Sequence, residues 1–325
     1  MVFELKRMDG QKVLITGGLG FVGSNLAVKC LELGADVTFF TKSLDKIENI
    51  KDIEGRVRIL RGDITNYEDV KNSVVEKDIV FHLAGQTDHV LSMENPILDI
   101  DINLIGTINV LEACKKENKN AKIVSVGTVT QSGIAEKLPI NEDALDWPIE
   151  IYSANKLVCE KYMKVYHKAH GLKTVFFRFN TLFGDRQRLD NHRRGITNFF
   201  IGRIFRGEDI TIYGDGMWKR DYNYIGNVVD ALILGAQKEE ANGESFLLGG
   251  DKMYFVDMVR TLVDVVEKVI GKKGNIVFVE FPGGEKKIDV GDTEIDYRKI
   301  REILGWYPRI GFREGIEKTV RYNVR

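Results

Sequence analysis

A tyrosine and a lysine stand four residues apart in the segment YSANK, as Tyr152 and Lys156. Residues at this spacing project from one face of a helix, one turn apart. A tyrosine alone titrates at about 10, which is too high for efficient proton transfer at neutral pH, but a neighbouring ammonium favours the tyrosinate. The pair therefore predicts a group that takes a proton from a substrate and returns it.

A glycine-rich turn joins the apolar segment KVLIT to the helix-like segment SNLAVKCLELG. Glycine permits a tight turn and a close approach of the backbone to a ligand, while the free amides and the dipole at the start of a helix attract phosphate. A turn without a ligand is the alternative, but the strand-turn-helix context favours a dinucleotide site. We expect the dinucleotide to contact Gly17, Gly20, Phe21, Val22 and Gly23.

Short apolar segments alternate with helix-length amphipathic stretches from Lys12 to Arg178. The segments are KVLIT, DVTFF, VRILR, DIVFHLA, KIVSV and TVFFR. They are rich in β-branched residues, and the alternation is typical of βαβ units, in which helices cover both faces of a parallel sheet. Loops, short helices and isolated strands follow Arg178. The sequence therefore predicts an α/β fold with a dinucleotide-binding domain at 1–179 plus 221–250 and a smaller mixed α/β substrate domain at 180–220 plus 251–325.

The composition argues against several classes of protein. Of the 325 residues, 43% are hydrophobic and 29% are charged, as in globular proteins. The 47 Lys and Arg nearly cancel the 48 Asp and Glu, so we expect neither nucleic acid nor a membrane as partner. Cys30, Cys114 and Cys159 lie far apart in apolar stretches, which is typical of buried thiols rather than of disulfides or a metal site. Without a signal peptide or a membrane span in the sequence, we expect a cytoplasmic protein with no bound metal.

The residues after the segment DVTFF bear on the choice between NAD and NADP. An acidic residue at the end of this strand binds the adenosine ribose of NAD, whereas basic and hydroxylated residues accommodate the 2′-phosphate of NADP. The chain has Thr41, Lys42 and Ser43 there. NADP is therefore favoured over NAD, although Asp45 reaches the ribose if the turn is tight.

These motifs resemble those of the extended short-chain dehydrogenase/reductase family, which carries TGGxGFxG at the glycine turn. The resemblance continues through HLAGQTDHVLSMENP, DINLIGTINVLEA, RFNTLFG and ILGWYP. It implies a Rossmann-type doubly wound parallel sheet and NAD(P)-dependent action on a nucleotide-diphosphate sugar, as in UDP-glucose 4-epimerase-like enzymes. The further cofactor contacts that it implies are Asp63, Ile64, Leu83, Ala84, Gly85, Tyr152, Lys156 and Phe179.

The family also places a catalytic hydroxyl in the segment KIVSVGTVTQSG. Its V-S-T-x-x-V-Y-G pattern puts Thr128 at that position, where it would hydrogen-bond the sugar hydroxyl or ketone, and Ser125 is the alternative if the loop is one turn shorter. Dehydratases of the family carry an acidic residue or an Asp-Glu pair at the next two positions, which here are Val129 and Thr130. Neither exchanges a proton at carbon 5 or 6, so the sequence disfavours a dehydratase and a decarboxylase.

The resemblance implies substrate contacts on both sides of the predicted cleft. Arg220 would pair with the sugar-nucleotide diphosphate, because the guanidinium fork suits phosphate oxygens. The segment RFNTLFG departs from the family's R-x-x-N-x-Y-G, since Asn180 falls one place early and Thr181 takes the amide position. Lys286 or Lys287 would supply a basic residue near the end of the chain. The remaining implied contacts are Thr87, Thr130, Asn198, Phe199 and Tyr213.

The helix predicted from Pro96 to Cys114 is apolar on more than one face, so it should meet a second surface besides the sheet. We expect a homodimer through the helices near 96–114 and 152–169, with burial by the chain's own C-terminal part as the alternative. The resemblance implies reversible oxidation at sugar carbon 4, which is a 4-epimerase. An NADPH-dependent 4-ketoreductase is the first alternative. A sensor that binds without turnover is disfavoured by the retained Tyr152 and Lys156.

Overall fold

The elements of the fold are those of a computed structural model that describes residues 3–280 and 291–324. The strands are β1 (Lys12–Thr16), β2 (Asp36–Thr41), β3 (Arg58–Arg61), β4 (Ile79–His82), β5 (Lys122–Thr128), β6 (Lys173–Phe179), β7 (Thr181–Phe183), β8 (Ile210–Tyr213), β9 (Lys219–Tyr224), β10 (Ser245–Leu247), β11 (Asp251–Tyr254) and β12 (Ile276–Val279). The helices are α1 (Phe21–Glu32), α2 (Tyr67–Val74), α3 (His89–Glu94), α4 (Pro96–Asp99), α5 (Gly106–Glu117), α6 (Ile151–His170), α7 (Ile196–Arg206), α8 (Ile225–Gln237), α9 (Phe255–Ile270), α10 (Arg298–Leu304) and α11 (Phe312–Asn323).

The central sheet has seven parallel strands in the order β10-β6-β5-β4-β1-β2-β3. Successive residues of β1 are buried on opposite faces: Val13 and Ile15 belong to one apolar core, and Leu14 belongs to the other. Strands covered on both faces read as continuous apolar runs, which is the pattern that the sequence showed. The predicted Rossmann-type doubly wound sheet is confirmed.

The order of the strands indicates where the sheet has a crevice for a ligand. From β1 the chain moves outward to β2 and β3, and it then returns to β4 on the other side of β1. In open parallel sheets of this kind, ligands bind outside the carboxyl ends of the strands where the order reverses. The segments that follow β1 and β4 therefore meet at the crevice.

The helix predicted from Pro96 to Cys114 is a continuous helical segment that ends at Glu117. It contains a widened turn at Ile100–Ile105, between α4 and α5. Such turns insert an extra residue and are frequent at functional sites. Here buried Asp99 accepts a hydrogen bond of 2.8 Å from the Gln86 side chain, and buried Asn103 donates one of 3.0 Å to the Gln86 carbonyl. Both polar side chains thereby support the segment that follows β4.

The chain after β6 builds a smaller, mixed part. Strand β9 pairs antiparallel with β11 and parallel with β7, while β12 pairs with β8. Helix α9 packs against α7 and α11. The buried Trp306 donates its indole N–H to the carbonyl of Asn227 at 2.9 Å, which ties the C-terminal residues to α8. No helix within 3–280 and 291–324 combines the length and the apolar character needed to cross a membrane.

Candidate active site

The glycine turn between β1 and α1 has the backbone shape that the sequence predicted. Gly17 has a φ of +70°, and a Cβ there would lie 2.9 Å from the backbone nitrogen of Ala84. A Cβ on Gly23 would lie 2.5 Å from the carbonyl oxygen of Gly17. Helix α1 begins at Phe21 without a side-chain cap, so no side chain occupies its first backbone amides. This cradle fits a dinucleotide pyrophosphate.

A cleft of about 760 Å³ extends from the turn along the ends of β1, β2 and β4. Most of the predicted cofactor contacts line it. Thr87, predicted to contact the substrate, also lines this cleft. The predicted residues in its wall are Gly17, Gly20, Phe21, Val22, Gly23, Thr41, Lys42, Ser43, Leu83, Ala84, Gly85 and Thr87.

The far end of the cleft, beyond β2, carries hydroxyl groups and charges of both signs, since Thr41, Lys42, Ser43 and Asp45 line it. The Thr41 hydroxyl donates to the Ser43 carbonyl at 2.9 Å, and the Lys42 ammonium lies 2.7 Å from the Asp63 carboxylate. Partial burial alone would raise the pKa of Asp63, but Lys42 and Thr65 outweigh it and hold that pKa below its usual range. Asp63 therefore stays charged. Ile64 lies behind it, against Gly106.

Residues distant in sequence complete the wall of this cleft, and the sequence analysis did not single them out. Arg186 donates to the carbonyl of Asn49 and pairs with Asp52 at 2.5 Å, while the Asn49 side chain donates to the Leu19 carbonyl at 2.9 Å. Arg188 also lines the cleft. These contacts brace the glycine turn from the C-terminal half of the chain. Nothing in their local sequence marks them.

Tyr152 and Lys156 lie on the first two turns of α6, and both are buried. The Lys156 ammonium is 3.4 Å from the position that a Cβ on Gly85 would occupy, directly behind the cleft wall. The Lys156 ammonium favours the tyrosinate, but the other surroundings of Tyr152 act on its pKa in the opposite direction. Burial, with smaller contributions from the charges of Glu150 and Asp99, raises that pKa above its ordinary value. Burial also lowers the pKa of Lys156.

Of the two candidate hydroxyls, Thr128 stands at the carboxyl end of β5, opposite Phe179 of β6. Ser125 lies inside the sheet, where it donates to the His82 carbonyl at 3.3 Å. Thr128 caps the turn that follows, because its oxygen accepts from the backbone N–H of Thr130 at 3.2 Å. The geometry therefore favours Thr128 over Ser125 as a group that meets a substrate.

A polar cluster surrounds the start of α6. The buried Glu150 carboxylate caps the helix by accepting from the backbone N–H groups of Tyr152 and Ser153, each at 2.9 Å. The same carboxylate lies 3.1 Å from Nδ1 of His89, whose ring meets the Tyr152 ring edge to face at 4.9 Å. The segment HLAGQTDHV contained this histidine, but only the fold brings it to Tyr152.

An aromatic cavity of about 390 Å³ lies in the smaller part of the molecule and includes the predicted residues Phe199 and Tyr213. Trp218 and Phe255 stack in its wall with ring centroids 4.8 Å apart. Cavities of this size with aromatic walls accept a flat ring. The other lining residues are His192, Ile196, Phe200, Arg203 and Thr211.

The other predicted substrate residues already have protein partners. The Asn180 amide donates to the buried Asp221 carboxylate at 2.5 Å, and its Oδ1 is buried without a hydrogen bond among the described residues. Asn198 exchanges hydrogen bonds of 3.1 and 2.8 Å with the backbone of Gly184, so it supports the turn after β7. Arg220 donates to the Lys219 carbonyl at 2.9 Å.

Thr181 begins β7 and pairs in register with Tyr222 of β9. Lys286 and Lys287 lie outside the described residues. Within the described part of the chain, no cluster of three or more His, Cys, Asp or Glu side chains is arranged to hold a metal ion.

Comparison with known proteins identifies relatives of this chain. The family model described as GDP-mannose 4,6 dehydratase matches residues 14–319. The UDP-glucuronate 4-epimerase of Thermodesulfobacterium geofontis is 30% identical over 329 residues, which cover 95% of this chain and 95% of that protein.

Two solved structures extend the comparison. The UDP-glucose 4-epimerase of Thermotoga maritima with UDP-glucose is 29% identical and has a TM-score of 0.86, covering 97% of this chain and 99% of its own. The UDP-glucuronic acid 4-epimerase of Bacillus cereus, in complex with UDP-glucuronic acid and NAD, is 27% identical and has a TM-score of 0.82, covering 96% of this chain and 98% of its own.

Proposed function

This chain belongs to the extended short-chain dehydrogenase/reductase family of NAD(P)-dependent sugar-nucleotide epimerases and dehydratases, and we propose that within it the protein is a nucleotide-sugar 4-epimerase. One observation carries the proposal. Thr128, at the end of β5 beside the start of α6, is followed by Val129 and Thr130 rather than by acids. Elimination of water from carbons 5 and 6 needs a group there that exchanges a proton, and these side chains do not supply one.

The catalytic steps assigned to this chain's residues are proton transfers at O4. Tyr152 takes the proton of the 4-hydroxyl, Thr128 hydrogen-bonds the same oxygen, and Lys156 favours the tyrosinate. The glycine turn and the cleft beyond it would hold a nicotinamide dinucleotide, which would supply the hydride acceptor and donor for carbon 4. Epimerisation would then require the 4-keto sugar to turn over in the site, so that its other face is reduced.

The aromatic cavity supports a nucleotide as the other half of the substrate. A base between Phe199, Tyr213 and Trp218 would bury its flat ring, and Arg220 on β9 would face the diphosphate. The nucleotide sugar would thus lie between the proposed dinucleotide-binding domain, 1–179 plus 221–250, and the proposed substrate domain, 180–220 plus 251–325. The relatives named above carry uridine diphosphate sugars, and we extend that class to this chain.

Lys42 and its two hydroxyl neighbours, at the far end of the cleft, support NADP over NAD as the preferred cofactor. Lys42 is held near the end of β2 by Asp63, and Thr41 and Ser43 flank it. A cation with two hydroxyl groups suits the 2′-phosphate of NADP. The same observation favours a second candidate function, a 4-ketoreductase, because such an enzyme uses NADPH once per turnover.

A homodimer through α5 and α6 is part of the proposal. Ile97 and Ile105 on the Pro96–Glu117 segment are exposed, as are Val158 and Val165 on α6. Exposed apolar side chains on two adjacent helices match a symmetric interface in which each helix pair packs on its copy. The three buried thiols suit a reducing compartment such as the cytoplasm.

The experiment that tests the function is incubation of the purified protein with UDP-, TDP-, GDP- and CDP-sugars, followed by chromatographic separation of the 4-epimers. An epimerase interconverts one pair of sugars without a net change in absorbance at about 340 nm, where the reduced nicotinamide absorbs. If the protein instead consumes NADPH stoichiometrically with a 4-keto sugar nucleotide, its function is that of a 4-ketoreductase and the epimerase proposal is wrong. Mass analysis of any ligand released by denaturation would identify the base and sugar.

A further inference from the structure

A bridge of side chains joins three walls of the dinucleotide cleft. Arg186, in the segment after β7, donates to the carbonyl of Asn49 and pairs with the Asp52 carboxylate at 2.5 Å, and both of these partners lie between β2 and β3. The Asn49 side chain in turn donates to the Leu19 carbonyl of the glycine turn at 2.9 Å. Arg186, Asn49 and Leu19 all line the cleft. Segments that are far apart in sequence are thus tied together along one edge of the cofactor site.

The segment that carries Arg186 is itself anchored on two helices. Asn25 on α1, the helix that follows the glycine turn, donates to the Asp185 carbonyl at 2.8 Å. Asn198 on α7 donates to the Gly184 carbonyl, also at 2.8 Å. The bridge therefore pulls against fixed points at its C-terminal end, and a change in its length has to come from the segment between β2 and β3.

The backbone of Arg186 adopts a conformation that side chains disfavour. Its φ is +66°, in the left-handed region that costs a residue with a Cβ free energy. Such a residue persists where its neighbours hold it, and these residues cluster at functional sites and ligand clamps. The neighbours here are the partners of the guanidinium, whose side chain is only 5% exposed and which also lies 5.7 Å from the centre of the Tyr322 ring on α11.

Asp52 is the end of the bridge that faces water. Its side chain is 60% exposed, in contrast to the buried Arg186. The hydrogen bond from the guanidinium holds the pKa of Asp52 below its usual range, so both members of the pair are charged at neutral pH. Water competes for an exposed carboxylate and weakens its ion pairs. The bridge can therefore open at Asp52 while its other contacts stay buried.

We propose that Arg186, Asn49 and Asp52 form a latch that sets the rate at which the dinucleotide leaves the cleft. This inference rests on the proposed function, which puts a dinucleotide there. With the latch closed, the glycine turn, the segment between β2 and β3 and the segment after β7 stay together around the bound group. Release requires the contacts of Arg186 to break first. The three latch residues are positioning residues, since none of them touches the reacting atoms.

The latch bears on the choice between the two candidate functions. An epimerase regenerates its cofactor within each turnover and needs no exchange with the solution. A 4-ketoreductase has to release the oxidised dinucleotide once per turnover. A bridge that ties the walls of the cleft together serves the first enzyme and slows the second.

Stopped-flow fluorescence measures the release directly. The protein is loaded with NADPH, and in a parallel series with NADH, and is then mixed with an excess of the oxidised dinucleotide, so that the loss of fluorescence follows dissociation. Arg186→Ala should speed release about 10- to 100-fold, the range for loss of hydrogen bonds from a charged group. Asp52→Ala should speed it about 3- to 10-fold, because the exposed carboxylate contributes less. Release at the wild-type rate in both variants would overturn the latch.

A second arginine–aspartate pair in the same segment provides the matched control. Arg188 also lines the cleft, but its partner Asp190, at 2.7 Å, belongs to its own segment, so this pair joins no second wall. Asp190→Ala removes a carboxylate of similar exposure and should leave the release rate within about twofold of wild type. Equal acceleration by Asp190→Ala and Asp52→Ala would indicate a general charge effect and would contradict the latch.

A double variant distinguishes a latch from a direct contact between Arg186 and the cofactor phosphates. If Arg186 acts through Asp52, the variant with both Arg186→Ala and Asp52→Ala should release NADPH within about twofold of the rate for Arg186→Ala alone. A direct phosphate ligand would gain from the loss of its competing carboxylate, so Asp52→Ala would then slow release. Slower release by Asp52→Ala, or effects that multiply in the double variant, would disprove the latch.

A third substitution at the same position separates the side chain from the backbone. Arg186→Gly removes the guanidinium and also relieves the positive φ, and it should release the dinucleotide within about threefold of the rate for Arg186→Ala. Wild-type release by Arg186→Gly would assign the effect to backbone strain instead. A wild-type protein that holds NADPH or NADH but interconverts no sugar would contradict the epimerase and not the latch, whereas a protein that binds neither would contradict both.

Discussion

The Lys42 ammonium and the Asp63 carboxylate form an ion pair of 2.7 Å between the ends of β2 and β3. The sequence analysis placed both residues in the cofactor site separately, Lys42 beside the 2′-position of the ribose and Asp63 among the contacts that the family resemblance implies. The structure joins them, since the carboxylate holds the exposed lysine at the edge of the cleft. In the proposed binding mode, this pair would connect two of the expected cofactor contacts.

Removal of the Lys42 charge should weaken the binding of NADP more than that of NAD. We expect Lys42→Ala to weaken NADP binding about tenfold and NAD binding by less than about threefold, because only NADP carries a phosphate for the ammonium to meet. Isothermal titration calorimetry with each cofactor measures both values. Lys268→Ala, on the surface of α9, is the control for a general charge effect. Equal losses for NAD and NADP would contradict a 2′-phosphate site.

The glycine turn permits a matched pair of substitutions. Gly17 and Gly10 both have positive φ, at +70° and +75°, but a Cβ at Gly10 has nothing within 4 Å. Gly10→Ala should cost about 1 kcal/mol of unfolding free energy from backbone strain and leave dinucleotide affinity within about twofold. Gly17→Ala should cost more and abolish measurable binding. Urea unfolding and calorimetry test this, and tight binding by Gly17→Ala would exclude the turn as the pyrophosphate site.

Tyr152 gives the most direct test of proton transfer. Tyr152→Phe keeps the ring against His89 and removes the hydroxyl, so turnover should fall by about 10²- to 10⁴-fold while cofactor affinity changes less than about threefold. Steady-state rates and calorimetry on the same preparation measure the two quantities. Tyr162→Phe, on the exposed side of the same helix, is the control and should keep wild-type turnover. Near-normal turnover in Tyr152→Phe would remove this tyrosine from the mechanism.

Glu160 should dominate the stability of α6. Its buried carboxylate pairs with Arg178 at 2.7 Å and accepts from Gln131 at 2.8 Å, while Lys164 approaches from the surface at 3.4 Å. Glu160→Ala removes one of the two carboxylates that hold the buried guanidinium and leaves it with Asp146 alone, so we expect a loss of about 3 kcal/mol in unfolding free energy. Lys164→Ala removes only the exposed partner and should cost less than about 1 kcal/mol. Chemical unfolding curves that rank the two variants equally would refute this.

Asp221 should make stability depend on pH. Burial raises its pKa to about 6, although Ile295, Asn180 and Gly250 donate to it, whereas an unfolded aspartate titrates at about 3.9. Between these two pKa values the folded protein binds one more proton than the unfolded chain does. The stabilisation from the protonated Asp221 is therefore complete below about pH 4 and is lost as the pH rises through about 6.

Asp221→Asn removes this ionisation. The difference in unfolding free energy between wild type and variant should fall by up to about 3 kcal/mol between about pH 4 and about pH 7. Above about pH 7 it should change little, because Asp221 is then ionised in both the folded and the unfolded state. Urea unfolding at several pH values measures the difference. A difference that stays constant over this range would show that Asp221 is charged throughout.

The local patterns in the sequence were sufficient to predict the fold and to propose a central site. The alternation of apolar and amphipathic segments up to Arg178 predicted the parallel sheet, because strand and helix periodicities are set by neighbours along the chain. The glycine turn and the Tyr152–Lys156 spacing are equally local. The parallel sheet and the family are confirmed by the structure and the comparisons, whereas the roles of the glycine turn and of the Tyr152–Lys156 pair stay predictions.

What needed the tertiary structure is every property that depends on residues far apart in sequence. Periodicity did not indicate that Arg186 braces the glycine turn through Asn49, or that Trp218 stacks on Phe255. Nor did it place His89 beside Glu150. Only the packing of α3 against α6 brings that pair together.

The pKa of Tyr152 separates the two sources of information most clearly. The sequence alone determined that a tyrosine and a lysine share one face of a helix, and from this a lowered pKa followed. In the tertiary structure, burial of Tyr152 and the nearby charges of Glu150 and Asp99 act in the opposite direction and raise that pKa. The spacing of two residues follows from the sequence alone, whereas the desolvation of a side chain depends on everything that packs around it.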